Sequence, residues 1–161
     1  MNAEIASGTL SNRQHCLDYL TWTYFFRRLT KNPSYYDLDV TSADAINTYL
    51  RNLVNMNLLK LRDAGCIELD FTEDNIKSTH LGYLASFYYL SHITVMHLDR
   101  RLQEDTSIDE IIDILSKAQE FAGLPVRHNE DVLNEALAHL VPIKVNKHDL
   151  ESPHVKANLL L

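Results

Sequence analysis

The residues that could do chemistry are few and scattered. Cys16 and Cys66 lie far apart, in neither a CxxC nor any other metal-ligand spacing. Both read as small buried apolar side chains in a reducing compartment. There are 8 histidines but no HExxH. His92 and His97, five residues apart, would point about 140° apart on a helix, so they read as structural. Asp109, Glu110 and Asp113 form an acidic run on a helix whose other face would hold Ile111, Ile112 and Leu115. A solvated face accounts for them, and acids early in a helix also suit its dipole. No GxxxxGK[ST] loop is present to hold a nucleotide's phosphates, and no GxSxG elbow to raise a nucleophile. No catalytic, cofactor or metal constellation emerges. What remains is cationic: Arg27, Arg28 and Lys31 in one cluster, and Arg51, Lys60 and Arg62 along a later helix. Such groups recognise phosphates or carboxylates.

These side chains must be positioned by 161 residues, of which 45% are hydrophobic and 23% charged, with net charge −7. Those are globular proportions, enough for a proper core. The acidity argues against a free-standing nucleic-acid binder. Asn2, Ala3 and Glu4 after Met1 do not begin a secretory leader, and no apolar run approaches a membrane span. The chain reads as soluble and intracellular.

The pattern predicts helices with caps and one hairpin. Residues 2–7 read as the tail of a helix that stops at Gly8. A capping box of Ser11 and Gln14 opens a helix carrying Leu17, Leu20, Tyr24 and Leu29, which ends before Asn32-Pro33. Thr41 or Ser42 caps a helix with Ile46, Leu50, Leu53, Val54, Leu58 and Leu61 inward and Gly65 as its stop. Residues 66–70 alternate as a half-buried strand, 72–75 turn, and 76–79 return. Helices then follow over about 80–90, 93–103 (capped by Ser91), 107–121 (capping box Ser107 and Glu110), 129 to before Pro142, and from Ser152-Pro153, serine as cap, to the end. Leu159, Leu160 and Leu161 leave the last helix in apolar stride, so the chain reads as an excerpt from a longer one.

Helix, helix, strand, turn, strand over 11–79 is winged-helix order, with the aromatic residues between 19 and 36 packing its core. Residues 80–161 form a helical bundle. The fold class is therefore mainly α: a winged-helix domain over 1–79 with a short β-hairpin wing, then a helical domain over 80–161, truncated. The helix in the recognition position, 44–62, carries Arg51, Lys60 and Arg62 but also Asp44, with Asp63 just beyond. The wing carries Glu68, Asp70, Glu73 and Asp74. A wing of carboxylates repels phosphate, so Arg51, Lys60 and Arg62 are weak nucleic-acid contacts and domain packing is favoured over groove reading.

The strings YLTWTYFFRRL at 19–29, NPSYY at 32–36 and LPVRHNED at 124–131, with Leu81-Gly82, Tyr88-Tyr89-Leu90 and 153–161, resemble the large twin-cassette DExH-box helicases. The likeness is to the winged helix of their C-terminal cassette and the start of the Sec-type helical domain after it. Phe25-Phe26 and LPVRHNED lean toward the cointegrator-complex branch over the spliceosomal branch. The resemblance implies an accessory module that bridges two RecA-like motor domains and a downstream helical domain, closing a ring around the translocating strand. It implies ATP and Mg in the parent, none in this chain, and nucleic acid contacted through the parent. It also implies other subunits of a multiprotein complex, no membrane, and action in nucleus and cytoplasm. Such a parent would serve DNA alkylation repair, transcription coactivation or ribosome quality control. Arg27, Arg28, Tyr35, Tyr36, Arg127 and His128 would then be domain-interface residues. An alternative of another class remains, a protein-interaction scaffold in an endoplasmic-reticulum translocation subunit, since the Sec-type domain also occurs there.

Overall fold

The computed structural model describes residues 1–38, 42–70, 72, 74–141 and 145–161, with only the backbone of Lys147. They fall into two compact units, Met1–Tyr89 and Leu90–Leu161. The architecture is mainly α with one two-stranded antiparallel sheet, as the sequence predicts. No helix among the described residues is long and apolar enough to cross a membrane.

The first unit opens with α1 (Asn2–Ala6), α2 (Arg13–Thr21), α3 (Tyr24–Lys31) and a 3₁₀ turn, Pro33–Tyr36. It closes with α4 (Ala43–Asp63), β1 (Ile67–Asp70), β2 (Asn75–Ser78) and α5 (His80–Phe87). Gly8 ends the first turn region at φ +81°. The cap of α2 is Asn12, not Ser11: its side-chain oxygen accepts the His15 N–H at 2.8 Å. Ser11 is held outside the helix because its carbonyl accepts the Ile76 N–H of the hairpin at 2.8 Å. Gln14 bonds Asp18 instead of closing a capping box.

The single helix expected up to Asn32 is two helices. Its Thr21-Trp22-Thr23 stretch consists of poor helix formers. Thr23 turns extended there, donates its hydroxyl to the Leu20 carbonyl at 2.6 Å, and caps α3 by accepting the Phe26 N–H. The break also overturns the aromatic core. Trp22 is 89% exposed, Tyr24 74% and Tyr35 66%, while Phe25, Phe26 and Tyr36 are only half-buried. The buried residues are not aromatic: Leu10, Cys16 and Leu29 are enclosed, as are Leu50, Val54, Leu58 and Leu61, the inner stripe of α4, on which α2 packs.

Ser42 caps α4; Thr41 lies outside the described residues. Gly65, at φ +72°, ends it in a Schellman motif, with Gly65 N–H on Arg62 O at 2.8 Å and Cys66 N–H on Leu61 O at 2.9 Å. The hairpin pairs Ile67 with Ser78, Glu68 with Lys77 and Leu69 with Ile76. Its return strand is shifted one residue earlier than predicted and ends at Ser78, which leaves Thr79 to cap α5. The Thr79 hydroxyl accepts the Gly82 N–H at 3.1 Å and donates to Gly65 O at 2.6 Å. Helix α5 packs on α1 and β2 within this first unit and ends at Phe87, because Tyr89 adopts φ +56°.

The second unit contains α6 (His92–Arg101), α7 (Ile108–Ser116), a 3₁₀ turn Gln119–Gly123, α8 (Glu130–Ala138) and α9 (Pro153–Leu160). Ser107 and Glu110 make the predicted capping box. α7 stops well short of Phe121, because Thr94, buried on α6, accepts the Gln119 N–H at 2.9 Å and draws the chain into the 3₁₀ turn. Two details of α7 differ from expectation. Ile114 and Ser116, not Leu115, are the buried residues, and Asp113 is no free solvated acid: it accepts from Lys117 at 2.6 Å and from Asn158 on α9. Pro153 opens α9 as predicted, yet the Ser152 hydroxyl makes no cap bond. Of the closing leucines Leu159 is buried, while Leu160 and Leu161 are exposed.

Candidate interaction surfaces

Because α3 begins at Tyr24 behind the Thr23 cap, its inward positions are Phe25, Phe26 and Leu29, and Leu29 is fully buried. The remaining positions at i, i+3, i+4 and i+7 are Tyr24, Arg27, Arg28 and Lys31, all exposed. Pro33, with its fixed φ, then starts the 3₁₀ turn that brings Tyr35 and Tyr36 back beside the helix. Arg28 lies over the Tyr35 ring at 5.2 Å from its centroid. Tyr35 meets Tyr36 edge-on at 5.0 Å, and Tyr36 meets Phe25 edge-on at 5.3 Å. The structure therefore brings the predicted Arg28, Tyr35 and Tyr36 into one cluster with Arg27 on the same helix face. Tyr24, Lys31 and Phe25 join them. No carboxylate among the described residues pairs with Arg27, Arg28 or Lys31.

The basic residues of α4 do not share a face. Nine residues at about 100° each put Lys60 opposite Arg51, while Arg62 returns to Arg51's side roughly 16 Å along the axis. Arg62 is neutralised by Asp63 at 2.7 Å. Arg51 borders a hollow with Arg13 and Asp74, which form an ion pair at the hairpin turn. Glu73 lies outside the described residues.

Arg127 and His128 lie in the second unit, at the turn that leads into α8. The Arg127 backbone N–H donates to Glu130 at 2.8 Å, and Lys156 binds the same carboxylate at 2.6 Å. The Lys156 bond first, then that backbone bond, holds the Glu130 carboxyl below the ordinary range. Arg127 and His128 border a small open pocket with Asn129, Asp131 and Glu151.

Both thiols are buried, and burial pushes the pKa of each above its ordinary value. Among the described residues no three of His, Cys, Asp and Glu converge as metal ligands would.

A further surface escaped the sequence reading. On α5, Tyr83 stacks on Phe87 at 6.0 Å, Tyr88 meets Phe87 edge-on at 5.0 Å, and Tyr89 beyond them is 93% exposed. Its signal was the absence of any Asp, Glu, Lys or Arg from Thr79 to Leu98.

Comparison with known families places these surfaces. The model of the Sec63 Brl domain matches residues 78–161, more than half of the chain. The chain belongs to the Sec63 Brl family. A Winged Helix-turn-helix domain model matches residues 1–71 of this Sec63 Brl protein. It is 50% identical to activating signal cointegrator 1 complex subunit 3 of Rattus norvegicus over 161 residues, 100% of this chain and 7% of that protein. It is 45% identical to the DExH-box ATP-dependent RNA helicase DExH14 of Arabidopsis thaliana over 159 residues, 99% of this chain and 7% of that one. With the U5 small nuclear ribonucleoprotein 200 kDa helicase of Homo sapiens it shares 39% over 160 residues, again 99% and 7%. The Sec63 Brl chain thus spans about 7% of the length of the curated relatives it matches. The resemblance to large DExH-box helicases holds across both units. The α3 face lies in the winged-helix span; α5, Arg127 and His128 lie in the Sec63 Brl span, although α5 packs with the first unit.

Proposed function

We propose that this chain is a non-catalytic accessory module of an ATP-dependent nucleic-acid helicase, coupling two RecA-like motor domains to a downstream helical domain as the strand moves. The observation that carries the reading is the joint match. One continuous stretch of proteins named as helicases aligns with both units, in the same order, over 159–160 residues. The cointegrator-complex branch is favoured over the spliceosomal branch by 50% against 39% identity. The winged-helix match over 1–71 disfavours a translocation scaffold.

In this reading the functional division falls at 79/80, with α5 docked back on the winged helix. Arg27, Arg28, Tyr35, Tyr36, Arg127 and His128 face neighbouring domains of the parent. ATP and Mg bind elsewhere in the parent, consistent with the lack of a phosphate-holding loop here. Other subunits of a multiprotein complex are further partners, and the parent works in nucleus and cytoplasm, with DNA alkylation repair, transcription coactivation and ribosome quality control as its settings. Arg51, Lys60 and Arg62 contribute only weak, non-specific nucleic-acid affinity, about 10⁻⁴ M or poorer at physiological salt, because they do not converge on one face.

The test is a chimera. This chain replaces the matching 161-residue stretch of the Homo sapiens cointegrator subunit, to which it is 48% identical. ATP-dependent unwinding should survive the exchange and vanish when the stretch is deleted. A folded chimera without unwinding, or ATP turnover by the isolated chain, overturns the proposal. Sub-micromolar duplex binding by the isolated chain, abolished by Arg51→Glu, would make the winged helix a reader of nucleic acid instead.

A further inference from the structure

The outward face of α3 has a chemistry of its own. Tyr24, Arg27, Arg28 and Lys31 stand in one exposed stripe about 10 Å long, seven steps at roughly 1.5 Å each. Tyr35 is laid against the same stripe through Arg28. From Tyr19 to Tyr36 the sequence has three cations and no Asp or Glu, in a chain whose net charge is −7. Carboxylates are plentiful elsewhere, yet none among the described residues reaches these cations. Lys31 stands at i+4 from Arg27 and i+3 from Arg28, spacings at which like charges repel. The helix dipole favours Arg28 and Lys31 in the last turn but not Arg27 one residue before it.

We propose that this face is the docking surface for a carboxylate-rich protein segment. The proposal rests on the interface reading of Arg27, Arg28, Tyr35 and Tyr36 and names the chemistry of what they meet. Two or three Asp or Glu side chains within one helical turn or a short extended stretch match the three cations. A flanking apolar residue covers Tyr24 and Tyr35. The cation–π contact holds the Arg28 guanidinium over the Tyr35 ring, and a guanidinium offers a fork of N–H donors that can receive a carboxylate through two parallel hydrogen bonds. A side chain already drawn toward a ring loses less freedom on binding than one free in solvent.

Single-stranded nucleic acid is the competing occupant, and three observations disfavour it. A strand held by stacking needs several open ring faces in succession, whereas Tyr24 is the one ring of this face without a ring contact among the described residues; Tyr35, Tyr36 and Phe25 meet edge-to-face and Tyr35 also carries Arg28. Three cations neutralise too few phosphates to hold a strand at physiological salt. The surrounding unit adds acid rather than base, since residues 1–89 contain eight Lys or Arg against ten Asp or Glu, a net charge of −2.

The test uses the 161-residue chain and three fluorescein-labelled probes: a short peptide rich in Glu and Leu, its Gln-for-Glu counterpart, and an oligo-dT strand. The Glu peptide should bind at least about tenfold more tightly than the Gln peptide and than oligo-dT. The double variant Arg27→Glu, Arg28→Glu should weaken it by roughly tenfold or more, about 1.4 kcal/mol per decade. Lys60→Glu, elsewhere on the same unit, should change it by less than about twofold. If the double variant does not fold, Arg28→Gln and Lys31→Gln carry the comparison, each lowering affinity with the circular dichroism spectrum unchanged. Equal binding of the two peptides, tighter binding of oligo-dT, or no binding of the Glu peptide each overturns the proposal. An active chimera with no peptide binding would overturn this docking surface alone. A dead chimera whose peptide binding is intact would overturn the accessory-module reading instead.

Discussion

Replacing Gly82 by alanine should be the most damaging single-methyl change in the first unit. A Cβ at this position would lie 2.0 Å from the Cys66 carbonyl oxygen, 3.0 Å from its carbon and 2.8 Å from Ser78 Oγ. The obstacle is backbone, and that backbone is pinned. Cys66 N–H closes the Schellman motif of α4 at 2.9 Å, and its carbonyl accepts the Thr79 N–H at 3.0 Å. To reach ordinary contact, α5 must retreat by more than about 1 Å. That movement strains the Thr79–Gly82 cap and the bond from Asn2 to the Gly82 carbonyl, 3.1 and 2.9 Å long. Overpacking costs about 1–3 kcal/mol, and each lost hydrogen bond about 1 kcal/mol. Against this stands the helix preference of alanine over glycine, at most about 1 kcal/mol. The net loss is roughly 2–4 kcal/mol, a fall on the order of 10 °C in the melting of a unit this size. Thermal and urea unfolding followed by circular dichroism measure it. Gly123→Ala is the control, since nothing lies within 4 Å of a Cβ there; it should stay within about 0.5 kcal/mol of the parent. If Gly82→Ala melts with the parent protein, α5 does not pack on the hairpin base as described.

Three further outcomes are expected. Thr94→Val removes a buried hydroxyl that donates to Glu120 at 2.5 Å and accepts the Gln119 N–H at 2.9 Å, so the second unit should lose about 2 kcal/mol in urea unfolding; a loss below about 0.5 kcal/mol would contradict it. The carboxyls of Glu110, Glu120 and Glu130 are held below their ordinary value: Glu110 chiefly by the Ser107 N–H, Glu130 chiefly by Lys156, and Glu120 against its own desolvation by Ser91 and Thr94. Depressed folded-state values stabilise above the unfolded carboxylate pKa of about 4.3 and lose that stabilisation as pH falls through the folded values, so amide protection in the second unit should drop in acid; protection that stays level from neutral pH to about pH 3 would refute this. Cys16 and Cys66, buried with raised thiol pKa, should resist iodoacetamide in the folded protein and both alkylate in urea, as mass spectrometry would read.

Capping chemistry made most of the elements legible. Gly8, Ser42, Gly65, Ser91, the Ser107–Glu110 box and Pro153 all mark helix ends in the structure, because an orphan N–H or carbonyl at a helix end is satisfied by local sequence. The errors came where distant partners decided. Ser11 lost its capping role to Asn12 because a hairpin N–H claims its carbonyl, and α7 ended early because Thr94 on another helix claims the Gln119 N–H. Neither partner can be read from nearby residues. The cap at Thr23 was local and still misled, since the apolar spacing of Leu17, Leu20, Tyr24 and Leu29 runs through it without interruption. Once α3 starts at Tyr24, the stripe of Tyr24, Arg27, Arg28 and Lys31 follows from spacing alone.

The misplaced aromatic core has a different cause. Periodicity identifies which face of a helix is apolar, and inference then assigns that face inward because isolated domains bury what they can. Here the aliphatic residues suffice for the interior, with Leu29, Val54, Leu58 and Ile67 almost wholly enclosed, and the large rings are left over. Tyr35 stands out beside α3, in contact with Tyr36 and through it with Phe25; Tyr83, Phe87 and Tyr88 form a second contacting set, with Tyr89 exposed next to it. Scattered exposed rings need no explanation, but clustered ones that contact each other do. The two clusters also differ in charge. The first is interleaved with Arg27, Arg28 and Lys31, and the second falls in a stretch with no Asp, Glu, Lys or Arg from Thr79 to Leu98. A face whose cations meet no carboxylate among the described residues selects an anionic partner. A face without charges tolerates no unpaired charge opposite it, since burying one is costly. The same chain therefore offers two faces that a single partner surface could not satisfy. A module held between different neighbours, as the proposed function requires, has need of both.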